Sequence, residues 1–138
     1  MINETGMVFD QQGSVMLWHE PEGRSSGSLP DSQDLWDFLW KHRIKGDGTG
    51  QLCGVAHTHP WHGHAAPSGI DLTTWAAIEK GLGQRLLWPI TTFSEVRYFV
   101  WNEVVEGYCE VAEKYLHINI EGFDELRRLS GSEESPSE

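Results

Sequence analysis

A five-residue apolar stretch, Leu52-Cys53-Gly54-Val55-Ala56, runs without a break into His57-Thr58-His59-Pro60. Gly46, Gly48 and Gly50 break the chain before it and Pro60 closes it, so the stretch reads as a buried strand. A loop with Gly63 and Pro67 follows, then a helix over about 68–80 that Gly81 and Gly83 end. A strand feeding a loop and then a helix points to a sheet with helices laid on it.

The flanking sequence extends that pattern. Gly6-Met7-Val8-Phe9 and Val15-Met16-Leu17-Trp18 are apolar runs joined by a turn-like Asp10-Gln11-Gln12-Gly13-Ser14, which predicts a hairpin over 6–20. Residues 21–30 read as a loop. Asp31 or Ser32 is placed to cap a helix running to position 43, with Leu35, Phe38, Leu39 and His42 on one side and Trp36 and Trp40 alongside as core or interface residues. Strands are expected over 86–90 and 95–101, and Pro89 places the first of them at an edge or a bulge. Further strands are expected over 108–111 and 115–120, and a short helix over 123–129. The expectation is an α/β sandwich around one mixed sheet, a domain over 1–129, with 130–138 a disordered acidic tail.

Composition narrows the partners. The 138 residues carry 21 acidic against 10 basic side chains, a net charge of −11, which disfavours nucleic acid and anionic membranes. Two cysteines make no disulfide framework, and no apolar run approaches the ~18 residues of a membrane span. With no signal-like N-terminus, a cytoplasmic chain is expected.

Four of the seven histidines fall between positions 57 and 64: His57, His59, His62 and His64. On a strand, residues i and i+2 face the same way, so His57 and His59 project side by side, as two ligands of one zinc ion would. Asp71, in the first turn of the second helix, is placed to be a third ligand. Three protein ligands with an open fourth position describe a catalytic zinc site, which needs a carboxylate nearby to move protons. Each part also has a plainer reading. Ser68-x-x-Asp71 is a common capping arrangement, and His62 and His64 read as solvent-exposed loop residues.

Taken in order, His57-Thr58-His59-Pro60, a loop, and Ser68-Gly69-Ile70-Asp71 resemble the signature of the JAMM (MPN+, JAB) zinc metalloprotease family, which reads His-x-His-Pro, loop, Ser-x-x-Asp. That family also carries a glutamate that opens an early strand, and Glu4-Thr5-Gly6-Met7-Val8-Phe9 looks like that element. Glu20 is the rival, without a matching string around it. The resemblance implies a JAMM/MPN-like, cytidine-deaminase-like fold, a mixed sheet flanked by helices, in its prokaryotic-type core form. It further implies Zn2+ held by His57, His59 and Asp71, with Glu4 as general base and Ser68 as a hydrogen-bond donor to the developing oxyanion. With Met1 to Asn3 before it, Glu4 is expected to be fixed by strand pairing alone. The implied activity is hydrolysis of a peptide or isopeptide bond after the extended C-terminal tail of a ubiquitin-like or sulfur-carrier protein. The alternative is a catalytically inactive scaffold or protein-binding domain of the same fold. Zinc-dependent nucleobase deamination is disfavoured, because no Pro-Cys-x-x-Cys element accompanies the histidines.

Overall fold

The computed structural model describes residues 2–131. Its strands are β1 (Gly6–Asp10), β2 (Val15–His19), β3 (Leu52–Thr58), β4 (Trp88–Thr91), β5 (Val96–Asn102) and β6 (Gly107–Val111). They form one mixed sheet in the order β2-β1-β3-β4-β5-β6, in which only β3 and β4 run parallel. Three helices accompany it: α1 (Gln33–His42), α2 (Gly69–Leu82) and α3 (Phe123–Leu129). Parallel neighbours need a long crossover, and α2 supplies it between β3 and β4. The coarse α/β expectation therefore holds. No helix among the described residues is long and apolar enough to cross a membrane.

Alternation along the central strands sorts the core into two. Val8 and Val55 pair across β1 and β3 and face Leu35 and Leu39 of α1 and Trp75, Ile78 and Leu82 of α2. Met7 and Ala56, the next pair, face the other way into a second core with Phe9, Tyr98 and Leu126 of α3. The helix ends match the capping signals. The Ser32 side chain accepts from the Leu35 N–H, and Gly83, at φ 68, closes α2 while Gly81 lies inside it.

Gly54 shows why a glycine sits in the middle of β3. A Cβ there would stand 2.0 Å from the Leu87 carbonyl oxygen and 2.6 Å from the Phe9 ring, so the backbone approach of β3 to residue 87 depends on its absence. Glu79 of α2 is buried at 3% exposure but surrounded by donors: Arg85 at 2.8 Å, the Leu86 N–H at 2.9 Å, Trp88 Nε1 at 2.8 Å and the Tyr108 hydroxyl. It ties α2 to β4 and β6, and burial, reinforced by the Tyr108 hydroxyl's hydrogen bond to Glu79, pushes the phenol pKa up.

Three sequence expectations are corrected. Pro89 is neither on an edge strand nor at a bulge, since β4 lies between β3 and β5 and its register to both runs without a shift. Lacking an N–H, it interrupts the β3 pairing, which consists of a Gly54–Leu87 bridge and then His57–Ile90 and Thr58–Thr91. Residues 115–120 do not form a strand. Leu116, Ile118 and Ile120 do alternate into the α3-side core, but a 3₁₀ turn at Glu113–Tyr115 and a left-handed His117, φ 59, keep the backbone off any ladder. Ser130, assigned by sequence to the tail, is fully buried and hydrogen-bonded to Thr58 and Thr5. Residues 132–138 of the expected tail lie outside the described residues.

Candidate metal centre

The end of β3 delivers His57 and His59 to the α1/α2 side of the sheet. Gly6 pairs with His57 in the β1–β3 register, and the pairing continues past the strand end: the Thr58 N–H donates to the Thr5 carbonyl at 3.0 Å. Two residues back from Gly6 on the same face stands Glu4, so the register puts its carboxylate beside the two imidazoles. The His59 N–H is bound in turn to the Thr91 carbonyl at 2.9 Å. After Pro60 the loop is pinned to the β4–β5 turn by Phe93 N–H to Trp61 O, Thr92 Oγ1 to Gly63 O and Ala65 N–H to Glu95. It returns the chain to the sheet as α2 begins.

Ser68 and Asp71 form a capping box: the Asp71 N–H donates to Ser68 Oγ at 3.1 Å and the Ser68 N–H to Asp71 Oδ2 at 2.9 Å. Capping and site geometry are served by the same carboxylate. Asp71 Oδ1 is 3.2 Å from His57 Nε2, its Oδ2 is 3.0 Å from His59 Nε2, and the two Nε2 atoms are 3.1 Å apart. Ligand atoms at ~2.0–2.1 Å from one tetrahedral ion would be separated by ~3.3 Å, close to each of these three distances. Two imidazole nitrogens facing each other also share a single proton at best, whereas a cation between them uses both lone pairs. The donor set fits a metal ion, and it is the one cluster of three such residues with converging ligand atoms among the described residues. His59 Nδ1 is buried without a hydrogen-bond partner, so packing holds that ring: the Trp61 indole lies against it with centroids 4.7 Å apart.

Electrostatics separates the two carboxylates. Burial opposes charge on Asp71, but hydrogen bonds from His57, His59 and the Ser68 N–H outweigh it and hold the carboxyl well below the usual range. Glu4, 7% exposed, is pushed up to about 7 by burial, an effect that His57 reduces and Asp71 reinforces. A carboxyl in that position can both take and give a proton near neutral pH.

Glu4, His57, Ser68 and Asp71 line one cavity. Glu20 instead pairs with Arg24 at 3.3 Å, its side chain 39% exposed. Strand pairing is not all that fixes Glu4, contrary to expectation. Its N–H donates to the Ser25 carbonyl at 2.7 Å, and Arg24 reaches both the Glu4 carbonyl and Thr5 Oγ1. Behind the sheet, Thr5, Thr58 and Ser130 share a buried hydroxyl cluster. Sequence reading missed Arg24 and Ser130, and only their distant partners give them a role. It also left His19 without one: His19 lines the cavity and its Nε2 donates to the Pro30 carbonyl at 2.7 Å, with burial lowering its pKa. His62 and His64 stay outside the cluster, His62 against Ser94 and His64, 83% exposed, near Arg97.

No protein-family model matches the sequence, and no curated protein matches it.

Proposed function

We propose that this chain is a zinc-dependent metallopeptidase or isopeptidase of the JAMM (MPN+) type, with His57, His59 and Asp71 holding the metal. The observation that carries the reading is the joint placement of the ligand cluster and Glu4. Two imidazole nitrogens 3.1 Å apart, each 3.0–3.2 Å from an oxygen of the Asp71 carboxylate, lie on the same side of the sheet as the Glu4 carboxyl of raised pKa, and Glu4, His57 and Asp71 line one cavity. The motif order that resembles the family assigns the same residues the same roles. The six-stranded mixed sheet with α2 crossing from β3 to β4 is compatible with that fold.

Zinc held there by His57, His59 and Asp71 would supply a water of pKa ~7 and would polarise a bound carbonyl. The protein's own groups do the rest. Glu4 takes the proton from the attacking water and returns it to the leaving amine, the cycle its near-neutral pKa suits. Ser68 Oγ accepts from the Asp71 N–H, which leaves its own hydroxyl proton to donate to the carbonyl oxygen as negative charge develops there. The capping box locks Ser68 and Asp71 together, so donor and ligand keep their spacing without reorganising. The substrate in this reading is a protein or peptide with an extended C-terminal tail, of the ubiquitin-like or sulfur-carrier kind.

The test is hydrolysis by zinc-loaded protein of such carrier proteins extended by a short C-terminal peptide, read by intact mass. Cleavage that chelation abolishes, and that Glu4→Gln lowers by ~10²–10⁴ while zinc is retained, is the expected result. Cleavage indifferent to both overturns the proposal.

A further inference from the structure

The cavity does not end at the reacting groups. It encloses about 250 Å³ and runs inward from Glu4, His57 and Asp71 between α1, α2 and the loop at 27–31. Its inner wall is apolar: Leu35 from α1, Val55 from β3, Trp75 and Ile78 from α2, and Trp88 from β4. Trp75 and Trp88 stack at 5.3 Å and 12°, and Trp75 lies edge-on to the His57 ring at 6.4 Å, so the floor is rigid and begins at a ligand.

Three of the polar groups that line the cavity are already engaged. Trp88 Nε1 donates to Glu79, His19 Nε2 to the Pro30 carbonyl, and Asp31 accepts from Trp36 Nε1 at 2.7 Å. A water needs two to four polar partners to be held in such a space, whereas an apolar cavity of ~150 Å³ takes a benzene ring. The mouth carries three carboxyl groups, Glu4, Asp31 and Asp71, which work against an acidic occupant. Ile70, 78% exposed, stands at the same mouth and extends the apolar surface outward.

We infer that this cavity is a side-chain pocket that selects a bulky apolar residue, of the Leu, Met or Phe class, flanking the bond that is cleaved. Its place beside a cleaved bond rests on the peptidase reading; its preference for an apolar group does not. A glycine leaves the cavity unfilled, so for a carrier tail that ends in glycine the large apolar side chain is the one that follows the scissile bond. Thr74 lines the pocket on its α2 side and Ser28 on the loop side, where larger side chains would fill it.

Two measurements together test this. The first is cleavage of a randomised peptide library by zinc-loaded protein, sequenced by mass spectrometry, for wild type, Thr74→Phe and Ser28→Trp. The second is binding of indole to metal-free protein, followed by NMR, for the same three proteins. Expected are Leu, Met or Phe at one flanking position at least about ten-fold over Gly, Asp or Glu, and indole binding, with both lost when the cavity is filled while zinc content is unchanged. A preference for Gly or acidic residues at both flanking positions overturns the inference, as does the absence of indole binding. Indole binding that the filling variants block, without cleavage of any peptide, supports the pocket and overturns the peptidase reading instead.

Discussion

Replacing Glu4 with glutamine isolates the cost of burying one carboxyl. The carboxyl is raised from 4.5 to about 7, chiefly by burial, in the absence of a bound cation. Below pH 4.5 it is neutral in both folded and unfolded chains and costs nothing. As pH rises above 4.5 the unfolded chain ionises while the folded one stays protonated, so wild-type stability falls until about pH 7 and then levels off. That difference corresponds to roughly 3 kcal/mol at alkaline pH, most of which accrues between pH 5 and pH 8. Glutamine has the same shape and no titration. Urea denaturation with chelator present, at pH 5 and pH 8, should therefore show Glu4→Gln gaining about 2 kcal/mol on wild type between the two. A gap that does not change with pH, or that shrinks at pH 8, would refute both the burial of Glu4 and its suitability as a base at neutral pH.

Further outcomes follow from the same contacts. Glu79→Ala strands the Trp88, Leu86 and Tyr108 donors in the interior and should cost about 3–5 kcal/mol by urea denaturation, Glu79→Gln distinctly less. Gly54→Ala drives a methyl group into the Leu87 carbonyl and should cost about 3 kcal/mol or prevent folding, seen in soluble yield and thermal melts. Arg24→Ala frees the Glu4 backbone and Thr5 from their clamp; zinc content should hold while turnover falls, and equal turnover would show that the β1–β3 register alone positions Glu4.

The site was more legible than the walls around it. His57 and His59 share a face because β3 is a strand, and Asp71 returns to them because Ser68 starts a helix, and both signals are local in sequence. The hairpin, α1 and α3 were equally local, set by turn residues, a Ser32 cap and short apolar periods. What sequence hid was long-range. Pro89 reads as an edge or bulge residue because a proline removes a ladder donor, yet the sheet tolerates one missing rung between β3 and β4. The alternation of Leu116, Ile118 and Ile120 reported correctly which side is buried but not that the backbone is irregular, since burial and ladder pairing are separate requirements. Ser130 looked like the start of a tail because nothing near it in sequence shows that its hydroxyl meets Thr5, 125 positions away.

The central claim is that His57, His59 and Asp71 together hold one zinc ion, and metal content by mass spectrometry tests it most directly. Tag-free wild type, His57→Ala and Asp71→Ala would be purified in parallel. The account predicts about one zinc per chain in wild type and loss in both variants. No zinc in wild type, or zinc that persists in the variants, would contradict it.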